Sequence, residues 1–368
     1  MATSKEASRR PRQSNLELFR IILMLFIIAG HYVINSNIMA SLQNDTVNAN
    51  TIFLGGVSAF GKICINCFVL ITGYFMCKSN ITLKKFLKFV LEVMFYYTII
   101  YILFCIFGVA DFSAKEFFTR IIPIKSIGSD FTSAYIILFL CIPFINILVN
   151  NMKKYQHLSL LAILLFTYTI LGNLPWVQVS FNYVSWFFVI YLIGSYIRIY
   201  PGKHSNNTRL WAYISFILFV TAILSVILSL IIRQSRNNFS IYYFTRDSNK
   251  ILAVLCSISF FMLFKNLKIK YNHFINYIAA STFGVLLIHA SGYIMTDWLW
   301  NKTLKTSLMY GNSLLPLHLL LSVLVVYATC VIIDKLRIKF IEEPLFKKIS
   351  PFIEKTEIRI KNKINQCP

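Results

Sequence analysis

Apolar side chains recur along this chain in ten long blocks, at about 19–38, 52–77, 86–109, 133–150, 157–173, 181–200, 210–232, 250–265, 274–299 and 314–334. Most hold the roughly 20 residues that an α-helix needs to cross the hydrocarbon of a bilayer. Within lipid every backbone amide and carbonyl must be satisfied by the chain itself, which a helix does unaided. The pattern predicts an all-α fold, a polytopic transmembrane helical bundle of about ten spans. The fourth, fifth and eighth blocks are the short ones, expected to tilt less or to be partly re-entrant.

Charge gives the orientation and removes one class of function. The formal net charge is +22, a value that in a soluble protein would suggest nucleic acid. Here only 14% of residues are charged, against about 25% in soluble domains. The basic residues fall in short loops between spans and form no basic module, so no nucleic-acid partner is expected. Lys and Arg are about three times as frequent in the segments on the N-terminal side of the membrane as on the other, which predicts that both termini are cytoplasmic. Residues 1–14 are polar and read as a disordered cytoplasmic tail. Residues 15–345 read as the transmembrane domain, and 346–368 as a basic amphipathic cytoplasmic tail lying against membrane lipids. Arg9, Arg10 and Arg12 before an apolar run resemble a signal peptide, but the run is too long and no clean small-residue cleavage site follows, so it reads as a retained first span. Cys64 and Cys67 form a C-x-x-C inside a helical block with no second pair, so packing is the expected role; no His, Cys or carboxylate group has metal-ligand spacing, and no metal is expected.

Against this apolar background the buried ionisable residues are the candidates for chemistry, because a charge at membrane depth is costly and marks function by default. His31 lies about 16 Å beyond Arg20 along the first helix, at 1.5 Å of rise per residue. Either it is hydrogen-bonded between helices as glue, or it is a general base or acyl-accepting nucleophile. Glu17 and Arg20 are three residues apart on one face at the mouth of that helix. They form either a surface ion pair or, through the guanidinium, a holder for an anionic ligand such as a nucleotide phosphate. Lys62 is too far from either end of the second span to snorkel easily, and faces a hydrated cavity or a buried acid, with Asn66 one turn on. His289 sits in the outer half of the ninth span at a depth like that of His31, so the two either line one cavity or pack separately. His318 reads as interfacial; His157, His204 and His273 fall in cytoplasmic loops and receive no role. Trp176, Trp186, Trp298 and Trp300 read first as an interfacial aromatic belt, with sugar stacking by Trp176 and Trp186 as the alternative.

Several short motifs, in order and over nearly the whole chain, resemble the acyltransferase-3 family of integral membrane O-acyltransferases. Arg12-Gln-Ser-Asn-Leu-Glu-Leu-Phe-Arg20 is similar to the family's opening signature, and Arg20 with His31 to its arginine–ten residues–histidine motif. Phe68 to Tyr74 resembles the Ser-Gly-Phe/Tyr stretch closing the second span, with Thr72 in place of serine. Ser185 to Gly194 resembles a mid-chain motif, Ser281 to His289 the penultimate-helix segment ending in histidine, and Glu342-Glu-Pro344 an acidic-proline element after the last span. Glu17 replaces a frequent Asp. The paired arginines common at the start of the third helix are here Lys84 and Lys85, with Lys88 one turn on, which keep charge but lose bidentate phosphate geometry.

The resemblance implies transfer of an acyl group, commonly acetyl from acetyl-CoA, to a hydroxyl of a polysaccharide or lipid-linked glycan at the bacterial cell envelope. The protein would sit in the cytoplasmic membrane. In that reading Arg20 and Lys84, Lys85 or Lys88 hold the donor's phosphates, and His31 is the base or acyl carrier. Glu17 belongs to the same site, Lys62 or Asn66 faces the oxyanion, and His289 orients the acceptor. The rival reading is a transporter or flippase for a lipid-linked oligosaccharide, against which stands the lack of an inverted repeat. A polymerase would usually show a large external loop, and none is present.

Overall fold

The computed structural model describes residues 12–364, apart from 45, 123, 125, 127, 175, 237 and 238. Among these residues the chain is helical with no strand. In order the helices are α1 (Ser14–Ile34), α2 (Ile38–Asn44), α3 (Ala49–Met76), α4 (Leu83–Ile106), α5 (Ala114–Ile121), α6 (Phe131–Asn151), α7 (Lys154–Leu165), α8 (Tyr183–Ile199), α9 (Thr208–Ser235), α10 (Ile251–Asn266), α11 (His273–Ala279), α12 (Thr282–His289), α13 (Tyr293–Asp297), α14 (Leu315–Arg337) and α15 (Glu343–Ile364). Polar residues stop the apolar runs by closing the helix starts. The side chains of Asn48, Thr82, Asp130, Asn182 and Asn207 each accept from the backbone amide three residues on. These caps satisfy amides that have no partner inside the helix.

Seven helices are long and apolar enough to cross a membrane, or eight if one bent pair counts as a span. The expected sixth and eighth blocks form shorter apolar helices, α8 and α10, of 17 and 16 residues. The fourth and fifth, expected to be short, reach 21 and 20 residues, the latter by adding a π-turn (Phe166–Ile170) and a 3-10 turn to α7. The ninth block, 274–299, reads in the sequence as one span and is a bent pair of helices in the structure. It breaks after His289, and the two pieces meet at 94°. Gly292 makes the bend, at φ 129° and ψ 178°, a backbone region open essentially to glycine alone.

At the centre lies α3, packed on α1, α8, α9 and α10; 72% of its spanning window is buried, against 28% for α4. The α3–α8 crossing is backbone against backbone. A Cβ on Gly73 would stand 2.5 Å from the Tyr191 carbonyl oxygen, and one on Gly194 would stand 2.6 Å from that of Leu70. Small residues serve this purpose in lipid, where helices associate through close packing and not by escaping water. Beyond α14 the chain passes through a π-turn (Ile338–Glu342) directly into α15, so the expected amphipathic tail is helical and continuous with the last span, with Phe346 and Ile353 buried. Residues 1–11 and 365–368 of the expected tails lie outside the described residues.

The N-terminus of α1 marks one face of the bundle, here the basal face. There Ser14 Oγ donates to Asn276 Oδ1 (3.1 Å), and Asn15 Nδ2 donates to the carbonyls of Phe264 and Lys265 (3.0 and 2.9 Å). The opposite, distal face holds the end of α1, the start of α3 and the segment between α9 and α10.

Candidate active site

A cavity of about 840 Å³ runs between α1, α3, α4 and α6. Arg12, Arg20, Lys85 and Lys88 line it towards the basal face; Asn35, Asp130, Arg246 and Thr296 line it towards the distal face. Its middle is apolar and aromatic, with Phe89 against Tyr135, Phe139 and Phe283 at ring separations of 5.6, 5.3 and 5.1 Å. The hydroxyls of Thr72 and Tyr135, 2.8 Å apart, are the polar pair at that level.

His31 lines this cavity. Eleven residues are close to three helical turns, so Arg20 and His31 share one face of α1. The His31 Nδ1 is 3.0 Å from His289 Nε2, and the His289 Nδ1 is 2.6 Å from the Val285 carbonyl oxygen. A carbonyl only accepts, so the His289 Nδ1 carries its proton. With both rings neutral, His289 Nε2 is then an acceptor, His31 Nδ1 must donate to it, and the free lone pair of His31 falls on Nε2. This chain of three groups fixes both the orientation of the ring and its tautomer.

His289 itself is fully buried and is not part of the cavity wall. It stands behind His31, with its Nε2 on that ring's Nδ1. Its place depends on the break that follows. Arg120 of α5 is buried and donates from Nη1 to the Ser291 carbonyl (2.8 Å), while its Nε and Nη2 hold Glu116 at 2.7 Å. The Gly292 α-carbon faces that guanidinium, where a Cβ would lie 3.3 Å from Nη1. No motif marked Arg120; its helical (i, i+4) pairing with Glu116 is the only trace it leaves in the sequence.

Lys62 lines the cavity and is within electrostatic reach of His31. It bonds to the Tyr183 hydroxyl and lies 5.1 Å from that ring's centre. Asn66 does not share this role. Its amide donates to the Ser248 carbonyl (2.7 Å) and its oxygen accepts from Trp186 Nε1 (2.9 Å), so both ends are committed and the residue is fully buried. The same bond removes Trp186 from the interface and from sugar stacking. Trp300 is also fully buried, beside Tyr32, so the aromatic belt does not extend to it. His318 bonds to the Tyr32 hydroxyl at 2.8 Å. His157 lies in α7, not a loop, fully buried with Nε2 at 3.1 Å from the Leu192 carbonyl.

At the basal end Arg20 lines the cavity, and its Nε is buried without a partner. Glu17 is 3.5 Å from the Arg20 guanidinium and 4.0 Å from that of Arg12, outside the cavity wall. Fourteen residues from His31, or about 21 Å of helix, Glu17 lies beside Arg20 and not beside that ring. Lys85 and Lys88 line the cavity, whereas Lys84 is exposed outside it. Helical spacing explains this: Lys85 and Lys88 are three apart on one face of α4, and Lys84 is a hundred degrees round. Lys88 also pairs with Glu342. Glu342 belongs to a buried cluster in which Arg337 meets Glu342 (2.7 Å), Asp334 (3.0 Å) and Glu92 (3.1 Å), and the Tyr96 hydroxyl donates to Asp334 (2.7 Å). The acidic-proline element after the last span thus ties α14 to the wall helix α4.

A family model described as an acyltransferase domain matches residues 13–335. The chain belongs to the acyltransferase-3 family. It is a multi-pass membrane acyltransferase, and the match spans α1 with Arg20 and His31, the wall helices and most of α14. No curated protein and no solved structure matches it.

Proposed function

We propose that this acyltransferase moves an acyl group, of which acetyl is the simplest, from cytoplasmic acyl-CoA to a hydroxyl of an extracytoplasmic polysaccharide or its lipid-linked precursor. The basal face would be cytoplasmic, as the charge distribution predicts, and the membrane the bacterial cytoplasmic membrane. The observation that carries this reading is a single cavity with a guanidinium at one end whose Nε is buried without a partner, and the free nitrogen of an oriented imidazole beyond its middle. The pantetheine arm of coenzyme A has twelve bonds between phosphate oxygen and sulfur. An extended chain covers about 3.5 Å in every three bonds, so the arm reaches roughly 14 Å. The helical rise from Arg20 to His31 is about 16 Å, on the same scale as that reach.

In this reading Arg20, Lys85 and Lys88 hold the donor phosphates, and the aromatic waist takes the apolar arm. The His31 Nε2 withdraws the proton of the acceptor hydroxyl as its oxygen attacks the thioester carbon. The ammonium of Lys62 stabilises the oxyanion that forms. Collapse of the tetrahedral species expels the thiolate, which regains the proton from His31, leaving an ester and free coenzyme A. Acetyl-CoA enters as a substrate and no metal has a part.

The test is transfer of label from acetyl-CoA to envelope glycan in membranes carrying the protein, with His31→Ala alongside. Label in the glycan that His31→Ala lowers by 10²-fold or more, as loss of a general base predicts, supports the assignment. An inserted protein that transfers from no acyl donor to any acceptor would overturn it and favour the flippase.

A further inference from the structure

The segment 239–250 joins α9 to α10 at the distal face, and nothing in the sequence singles it out. It turns into the bundle, where Thr245, Ser248 and Asn249 are buried. Four hydrogen bonds fasten it. Asn66 Nδ2 donates to the Ser248 carbonyl (2.7 Å), Asn249 Nδ2 to that of Tyr168 (2.7 Å), Lys250 Nζ to that of Gly172 (2.9 Å), and the hydroxyls of Tyr242 and Ser58 meet at 2.6 Å. A segment anchored to two helices in this way is a wall, not a loose loop.

Tyr242, Thr245 and Arg246 form part of the cavity lining. Burial pushes the Tyr242 phenol up to about 12, so it stays a neutral hydroxyl. Thr245 is 2% exposed, and its Oγ1 has no hydrogen-bond partner. A buried hydroxyl in that condition costs free energy unless something polar meets it, and the space it borders is the cavity. Charge at this end is mixed: Arg246 and Asp130 both line the cavity, and Asp247 follows Arg246 on the segment, outside the lining. Arg246 has no carboxylate within ion-pair distance among the described residues, and Lys62, deeper in, is bonded to the Tyr183 hydroxyl. Asp130 accepts on Oδ2 from the amide and the hydroxyl of Ser133 at 2.7 Å, and no ion pair joins it to Arg246 among the described residues.

We propose that segment 239–250 is the acceptor-recognition wall of the site, and that the acceptor carries an anionic group, a carboxylate or a phosphodiester, which Arg246 holds. Tyr242 and Thr245 meet the sugar's polar groups, and the field of Lys62 adds to that of Arg246. This rests on the acyltransferase reading. Anchoring the acceptor by its anion sets which hydroxyl reaches His31 Nε2. It also gives the two ends of the cavity separate charges to bind, donor phosphates at Arg20 and the acceptor anion at Arg246.

The test uses the full chain in lipid nanodiscs. The probes are a hyaluronan tetrasaccharide, the same molecule with its carboxyls reduced to alcohols, and a glycerol-phosphate oligomer. Wild type is expected to bind at least one charged probe about tenfold or more tightly than the reduced tetrasaccharide, the scale of a hydrogen bond to a charged group. Arg246→Ala should abolish that preference and Arg246→Lys keep part of it. Which charged probe gains identifies carboxylate or phosphate as the source. Equal binding of charged and reduced probes, binding of none of them, or a preference that survives Arg246→Ala would overturn the proposal. Coenzyme A binding on the same samples separates the two ideas. If it is kept while anion preference is absent, only the acceptor assignment fails; if wild type binds no coenzyme A, the acyltransferase reading fails with it.

Discussion

Replacing His289 by leucine tests the histidine chain at its middle member. Leucine keeps an apolar side chain of similar bulk in a fully buried position, so the bundle should still assemble. It removes the acceptor 3.0 Å from His31 Nδ1. The His31 N–H is then buried without a partner, a condition worth about 1–3 kcal/mol. The ring escapes that cost by turning or by changing tautomer, and either move takes the lone pair away from the cavity. If the productive arrangement must be regained in each turnover, the same 1–3 kcal/mol is added to the barrier, a fall in kcat of roughly 5- to 150-fold. The KM for acyl-CoA should hold, because the donor phosphates are bound three turns away. Glutamine at 289 can present an amide oxygen to His31 and should restore most of the rate. The assay is the initial rate of label transfer in membranes normalised for protein, with kcat and KM separated. Equal loss in His289→Leu and His289→Gln, or a wild-type rate in His289→Leu, would refute the tautomer argument.

The lysines of α4 should divide by face: Lys85→Ala and Lys88→Ala raise the KM for acyl-CoA several-fold, Lys84→Ala leaves it unchanged, and Arg20→Ala raises it most, all read from initial rates against donor concentration. Gly292→Ala should cost about 1–3 kcal/mol, the range for a residue forced into a glycine-only backbone region. It should also lower kcat, by loosening the Arg120 contact that holds the break, as measured by thermal unfolding in detergent together with turnover.

Much of this fold was legible as hydrophobic length alone, because lipid leaves the backbone few other options. Each apolar block falls on a helical element, and Arg20, His31 and Lys62 declared themselves as ionisable groups inside apolar runs. The break after His289 did not, since Ala290, Ser291 and Gly292 interrupt hydropathy too briefly to end a span. The bend becomes visible only when the φ of Gly292 and its contact with Arg120 are known. Lys84 was grouped with Lys85 and Lys88 by adjacency, although helical phase separates it. Trp186 reads as an interfacial ring in the sequence because composition says nothing of a partner 120 residues away in the chain. Segment 239–250 was missed for the same reason. Its bonds run to α3 and to the end of the fifth block, and long-range pairing of single polar atoms has no periodicity to detect.

The uneven seating of the helices has a consequence for how bulky substrates get in and out. α3 and α8 touch through their backbones, so separating them would open a void that no side chain can fill. α4 is different: it forms the cavity wall with Lys85, Lys88 and Phe89, yet only 28% of its spanning window is buried within the protein, and lipid tails are as apolar as its own side chains. Sliding that helix sideways trades one hydrocarbon contact for another at little net cost. What resists the movement is the Arg337 cluster, which holds Glu92 and Tyr96 partway along the helix, the rings packed around Phe89, and the Tyr101 hydroxyl nearer the distal end, which accepts from the Ser113 amide. The wall is therefore held at a few points along its length. Its ease of opening is a property of the surrounding bilayer as much as of the protein, and turnover should follow acyl-chain length and membrane thickness.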